Sequence, residues 1–121
     1  MAQILLAEDD DSMRSFLARA LRKAGHQVED AADDLEAEAC ITESEEEFDL
    51  LIADIVMPGI DGVELARRAC VDRPELRVMF ITGFAAVALQ ARRTQPRDTR
   101  ILSKPFHLRD LVDQVEEILA A

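Results

Sequence analysis

The chain has 121 residues, with 25 Asp and Glu against 14 Lys and Arg and a formal net charge of −11 at pH 7. A chain this acidic repels the phosphates of nucleic acid and the anionic face of membranes, which argues against either as a partner. Its residues are 49% hydrophobic and 32% charged, the balance of one globular domain with a real core and not of a disordered segment.

Cys40 and Cys70 have no His or Cys neighbour at metal-binding spacing. They read as small apolar residues on helices in a reducing setting. No charged-then-apolar leader opens the sequence, and no apolar run reaches membrane-spanning length. Residence in the cytoplasm is therefore the expectation.

Residues 3–7 (Gln-Ile-Leu-Leu-Ala) form a short apolar run that predicts a buried strand, followed by Glu8, Asp9, Asp10 and Asp11. Met13, Phe16, Leu17, Ala20, Leu21 and Ala24 then recur at helical spacing and predict one apolar helix face. Asp11 or Ser12 can cap this helix and Gly25 follows its end. Residues 26–31 predict a weak second strand around Val28. Asp33 or Asp34 can cap a second helix to about Thr42, with a poor stripe of Leu35, Ala39 and Ile41. Residues 43–47 read as a solvated acidic loop.

Residues 48–53 predict a third strand, and its Leu50 to Ala53 stretch is continuously apolar, as in a strand covered on both faces. It runs into Asp54, and Met57-Pro58-Gly59 turns the chain. Asp61-Gly62-Val63-Glu64 resembles a capping box ahead of a helix carrying Leu65, Ala66, Ala69 and Cys70, with Pro74 after it. Residues 78–81 predict a fourth strand leading to Thr82-Gly83. A short Ala-rich helix is expected over 84–93, and Pro96 stops it. Residues 100–103 predict a fifth strand leading to Lys104-Pro105-Phe106. Leu108, Leu111, Val112, Val115, Ile118 and Leu119 mark one face of a last helix, which His107 opens. Five strands alternating with five helices predict an α/β fold: a parallel sheet, doubly wound, as one domain over 1–121 with nothing left over for an effector domain.

Polar residues follow four of the five strands. Glu8 and Asp9 follow the first, Asp54 the third, Thr82 the fourth and Lys104 the fifth. In a parallel sheet these positions share one edge, the edge where open α/β sheets bind ligands. Each alone has a plain reading: Asp10 and Asp11 as helix caps, Asp54 or Thr82 as turn residues, Lys104 as a surface charge. Together they read as one site. Three close carboxylates repel one another, and a hard divalent cation such as Mg²⁺ relieves that repulsion. Aspartate is also a nucleophile for phosphoryl transfer, which needs mainly positioning and charge neutralisation. Lys104 supplies charge, and Thr82 can hydrogen-bond a phosphoryl oxygen.

These motifs, in this order and spacing, resemble the receiver domain of two-component response regulators, the CheY-like family. The resemblance rests on residues 4–10, on residues 54–62 with their Met-Pro and Asp-Gly, on Ile81-Thr82-Gly83 and on Lys104-Pro105-Phe106. It implies a sheet order of 2-1-3-4-5, the order the doubly wound CheY fold shows. It further implies that Asp54 accepts phosphate from a phosphohistidine on a histidine kinase or a histidine phosphotransfer protein. Asp9 binds Mg²⁺ directly, Glu8 directly or through water, and the Val56 carbonyl completes the protein ligands. Lys104 pairs with the phosphoryl group and Thr82 swings toward it. Such a receiver catalyses its own phosphorylation and slow dephosphorylation and is not a turnover enzyme.

Two positions depart from the pattern. Many receivers carry Tyr or Phe three residues before the lysine, as a switch; here Ile101 stands there. The residue two after the phosphoacceptor, which often tunes phosphoryl lifetime, is Val56. Residues 7–17, 80–89 and 102–112 are most similar to a group of stand-alone alphaproteobacterial receivers. In that group the unphosphorylated form helps deliver substrates to the ClpXP protease, and phosphorylation silences it. Ala120-Ala121 resembles the tails that ClpX recognises and reads equally as a frayed helix end.

The output is then a protein contact made by a monomer. Phe84, Val87 and Leu89, followed by Arg92 and Arg93, offer an apolar and basic docking face; the plainer reading is a helix end with favourable charge. Two other functions compete. One is a phosphate shuttle with no output of its own. The other is an Asp-nucleophile phosphotransferase of the haloacid dehalogenase kind, which needs a second Asp two residues after the first, where Val56 stands. His26 and His107 lack the clusters that phosphodonors or metal ligands need.

Overall fold

The computed structural model describes residues 2–43, 47–55, 62–83 and 99–120. Its elements are β1 (Gln3–Ala7), α1 (Asp11–Lys23), β2 (Gln27–Ala31), α2 (Asp34–Glu43), β3 (Leu50–Asp54), α3 (Gly62–Asp72), β4 (Arg77–Thr82), β5 (Arg100–Ser103) and α4 (Leu108–Ala120). The five strands form one parallel sheet in the order β2-β1-β3-β4-β5, as expected. The helix expected over 84–93 and the turn at Met57-Pro58-Gly59 lie outside the described residues.

Alternation along the strands sorts the core into two layers. Leu5, Ala7, Leu51, Ala53, Val78 and Phe80 face one way, and pack with Ala37 and Ile41 of α2 and Leu65, Ala66 and Ala69 of α3. Ile4, Leu6, Leu50, Ile52, Met79 and Ile81 face the other way, and pack with Leu17, Ala18 and Leu21 of α1 and Leu111, Val115 and Ile118 of α4. Both faces of β1 and β3 are thus dry, which is why these strands read as unbroken apolar runs. Each fully buried Leu or Ile contributes about 2 kcal/mol. Cys40 and Cys70 sit on α2 and α3 as thiols outside any disulfide, half-buried against the first layer.

The helix ends refine the expectations. Asp10, not Asp11 or Ser12, caps α1: its Oδ1 accepts from the Met13 N–H at 2.9 Å. Four consecutive acids all suit a cap, so composition alone cannot choose among them. The far end of α1 closes in a Schellman motif, with the His26 N–H donating to the Leu21 carbonyl at 3.2 Å and Gly25 at φ +103°. Asp33 caps α2, its Oδ1 accepting from the Glu36 N–H at 2.8 Å. His107 opens α4 through its carbonyl, which accepts from the Asp110 N–H at 3.0 Å.

Two large residues expected in the core are exposed. Phe16 is 57% exposed and Leu35 is 72% exposed. On α2 the sheet-facing positions are Ala37 and Ile41, and a residue two before Ala37 points about 200° away from it. On α1 the buried stripe is Leu17, Ala18 and Leu21, and Ala24 also lies exposed beyond it.

Candidate functional site

Backbone pairing carries three side chains to the carboxyl edge of the sheet. Glu8 follows β1, and its N–H donates to the Ala31 carbonyl at 3.0 Å, extending the β1–β2 ladder one step. Asp54 is the last residue of β3, opposite Ile81 of β4. Lys104 follows β5, and its N–H donates to the Thr82 carbonyl at 2.7 Å. The Lys104–Pro105 peptide is cis. Alternation gives Glu8, Asp54 and Lys104 the parity of Leu6, Ile52 and Leu102, so all three lie on the α1/α4 side.

There they meet. The Lys104 Nζ donates to Asp54 Oδ2 at 2.8 Å and to Glu8 Oε1 at 3.0 Å. Glu8 is fully buried and Asp54 is 6% exposed. Asp9 is exposed, yet one carboxylate oxygen from each of Glu8, Asp9 and Asp54 lies within 4.8 Å of the others. Burial pushes the Glu8 carboxyl up to about 7; Lys104 and the Asp10 N–H pull it back, and the Asp54 charge pushes it higher. Burial alone would lower the Lys104 ammonium, but its bonds to Asp54 and Glu8 outweigh that and raise it. Three carboxylates against one ammonium leave negative charge uncompensated. An all-oxygen donor set of this kind fits a hard cation such as Mg²⁺.

The other expected residues fall less centrally. Thr82 is fully buried at the end of β4, with the parity of Phe80 on the α2/α3 side, and its carbonyl takes the Lys104 N–H. Ile101 is partly buried and packs against the α2/α3 layer. Val56, Phe84, Val87, Leu89, Arg92 and Arg93 lie outside the described residues.

Two residues beyond the expected set touch the site. Gly62 begins α3 directly on the peptide after Asp54: its N–H donates to the Ile55 carbonyl at 2.8 Å, and a Cβ there would sit 2.2 Å from the Asp54 carbonyl oxygen. In the sequence Gly62 looks like part of a helix cap, and only the fold reveals this close approach. Arg14 reaches back from α1, and its Nη1 donates to the Glu8 carbonyl at 2.9 Å. An apolar groove of about 500 Å³ opens beside Lys104, lined by Met13, Phe16, Leu17, Pro105, Phe106 and Leu108. Among the described residues no helix is long and apolar enough to cross a membrane.

Comparison with known proteins agrees with this edge. The chain is 57% identical over 121 residues, all of this chain and 99% of the relative, to the response regulator receiver protein CpdR of Brucella abortus (strain 2308). It is 37% identical over 120 residues to the sensor kinase CckA of the same organism, covering 98% of this chain and 12% of that much longer protein. The crystal structure of a response regulator receiver protein from Sinorhizobium medicae WSM419 matches with a TM-score of 0.90 at 28% identity, over 99% of this chain and 95% of that one. The family model for the response regulator receiver domain matches residues 4–116, a span that runs from β1 through Glu8, Asp54 and Lys104 into α4. The chain therefore belongs to the response regulator receiver domain family of two-component signalling.

Proposed function

We propose that this chain is a stand-alone cytoplasmic response regulator that takes a phosphoryl group onto Asp54 from a phosphohistidine. The donor is a histidine kinase or a histidine phosphotransfer protein. The observation that carries the reading is the Lys104 ammonium bridging two buried carboxylates, Asp54 at 2.8 Å and Glu8 at 3.0 Å. An Asp54 carboxylate oxygen attacks phosphorus. The P–O bond forms as the P–N bond breaks, and the leaving imidazole keeps the electron pair and takes up a proton. Lys104 pairs with the charge of the transferred group, and the Thr82 hydroxyl is its hydrogen-bond donor. Glu8, Asp9, Asp54 and the Val56 carbonyl would hold Mg²⁺, which supplies charge neutralisation when bound. Water attack on the same phosphorus returns Asp54 slowly, so the chain acts as a switch and not as a turnover enzyme.

The output is a contact between proteins, made by a monomer through Phe84, Val87, Leu89, Arg92 and Arg93. Identity of 57% to CpdR across the whole of both chains supports an output in ClpXP-dependent proteolysis during the cell cycle. The site is tested by incubation with acetyl phosphate and Mg²⁺, read by intact mass. Wild type gains one phosphoryl group and Asp54→Asn gains none. An Asp54→Asn protein that is still labelled overturns the assignment.

A further inference from the structure

Asp9 is the exposed member of the carboxylate triad. The loop that carries it is tied to α1 by the Asp10 cap on the Met13 N–H and, through a longer side chain, by Arg14. The Arg14 backbone N–H donates to the Asp10 carbonyl at 2.8 Å, and the Arg14 Nη1 donates to the Glu8 carbonyl at 2.9 Å. Arg14 thus grips the chain on both sides of Asp9. Its guanidinium is itself held: Nη2 donates to Asp11 Oδ1 at 2.6 Å, and Nε lies 3.6 Å from Asp30 Oδ2 near the end of β2. The arginine side chain is only 18% exposed. A guanidinium can serve these three oxygens at once because its donors form a rigid planar fork, whereas a lysine has a single nitrogen to offer.

We propose that Arg14 is a positioning residue for the cation site: by pinning the Glu8 carbonyl with its guanidinium, next to Asp9 in the chain, it fixes Asp9 against Glu8 and Asp54. This deepens the reading of the acidic edge as a Mg²⁺ site and rests on it. Groups that orient metal ligands from outside typically govern affinity by ten- to a hundredfold.

The test is direct Mg²⁺ binding, by calorimetry and by amide NMR titration, with no phosphodonor present. Arg14→Ala weakens Mg²⁺ binding about tenfold or more. Arg14→Lys keeps the charge but not the fork, and recovers only part of the loss. Arg22→Ala is the control. Arg22 Nη2 makes the same kind of bond, to the Val28 carbonyl at 2.7 Å, at the far end of α1. A merely structural role for these arginines moves Mg²⁺ affinity equally in both alanine variants, and that result overturns the proposal. So does an Arg14→Lys protein that binds Mg²⁺ as tightly as wild type, which decides the matter if Arg14→Ala does not fold. If wild type itself shows no Mg²⁺ binding, the reading of the acidic edge fails and the role of Arg14 falls with it. If wild type binds and all variants match it, only the role of Arg14 is lost.

Discussion

The two ends of the sheet both gather charged side chains, and they use them in opposite ways. At the amino edge, charges bond to backbone. His26 Nδ1 accepts from the Ala2 N–H at 3.3 Å, which leaves Nε2 to carry the proton toward Glu116 Oε1 at 2.8 Å. Asp49 Oδ2 accepts from the Gln3 N–H at 2.9 Å, and Arg73 donates to the Ile41 carbonyl at 3.2 Å. Arg77 donates to the Ile118 carbonyl. The two arginines thus sit on carbonyls at the ends of α2 and α4, where a helix favours positive charge. At the carboxyl edge, charges bond mainly to one another. Lys104 serves both Glu8 and Asp54, and Asp9 stands beside them. Among the described residues no buried side-chain polar atom lacks a partner at either edge. The edges differ in the kind of partner. Charges that staple backbone ends together stabilise the fold. Carboxylates crowded around one ammonium cost stability and make a site.

The largest effect expected on this contrast comes from backbone and not from charge. Gly62→Ala puts a methyl group 2.2 Å from the Asp54 carbonyl oxygen, and backbone at the end of a buried strand cannot yield cheaply. The loss is about 3 kcal/mol or more by urea denaturation. Gly25, near the opposite edge, has open space for a Cβ but a φ of +103°. There the cost of Gly25→Ala is strain alone, about 1–2 kcal/mol. Equal losses at the two glycines would break the claim that α3 is seated on the Asp54 peptide.

Glu8 comes next, with a definite sign. Its ordinary value is 4.5 and burial raises it to about 7. Between those values the folded protein holds a proton that the unfolded chain has released. Stability therefore falls as pH rises through the window, and the loss is complete above it. At 1.36 kcal/mol per unit the loss is about 3 kcal/mol at most. Guanidinium denaturation in a chelator at pH 4.5 and pH 7.5 measures it, and Glu8→Gln removes it, leaving that variant the more stable at pH 7.5. Mg²⁺ at ten times its dissociation constant returns about 1.4 kcal/mol to wild type at pH 7.5. A wild type and Glu8→Gln with the same pH slope would show that the edge is not strained by its charge.

His26→Ala sharpens the other side. It removes the acceptor of the Ala2 N–H and the donor to Glu116 from a residue that is 9% exposed. The expected loss is about 2 kcal/mol in thermal or urea melts. Labelling by acetyl phosphate stays at the wild-type level, because the contact lies at the end of the sheet away from Asp54.

What could be read in the sequence follows the same division. The parallel sheet and its common edge are legible because Ile4–Ala7 and Leu50–Ala53 are unbroken apolar runs, each ending on an acid, whereas the strand order comes from the resemblance to the receiver family. What escaped depends on distances between elements. That Lys104 pairs with Glu8 as well as Asp54 follows from β1 lying beside β3 in the sheet with β5 at its edge, and from the shared parity of the three residues. The grip of Arg14 on the Glu8 carbonyl needs the angle at which α1 leaves its strand. Asp10 won the cap from Asp11 and Ser12 by backbone conformation, which composition does not carry. Phe16 and Leu35 look like core in the sequence because an apolar residue near a stripe is indistinguishable from one on it until the helix is docked.

Phe16 turns that last error into the smallest and most selective prediction. It is 57% exposed and lines the apolar groove beside Lys104. Phe16→Ser removes little buried area, so folding stability changes by no more than about 0.5 kcal/mol. Acetyl phosphate is too small to need a surface beyond the carboxylates, and labelling of Asp54 by it is unchanged. On the proposed function a protein donor docks its phosphohistidine over this groove, and its transfer rate to the variant is then expected to fall. The two donors, run side by side on one variant, separate chemistry from docking. A loss of more than about 1 kcal/mol would return Phe16 to the core, and equal rates from a protein donor would leave the groove without a role in phosphotransfer.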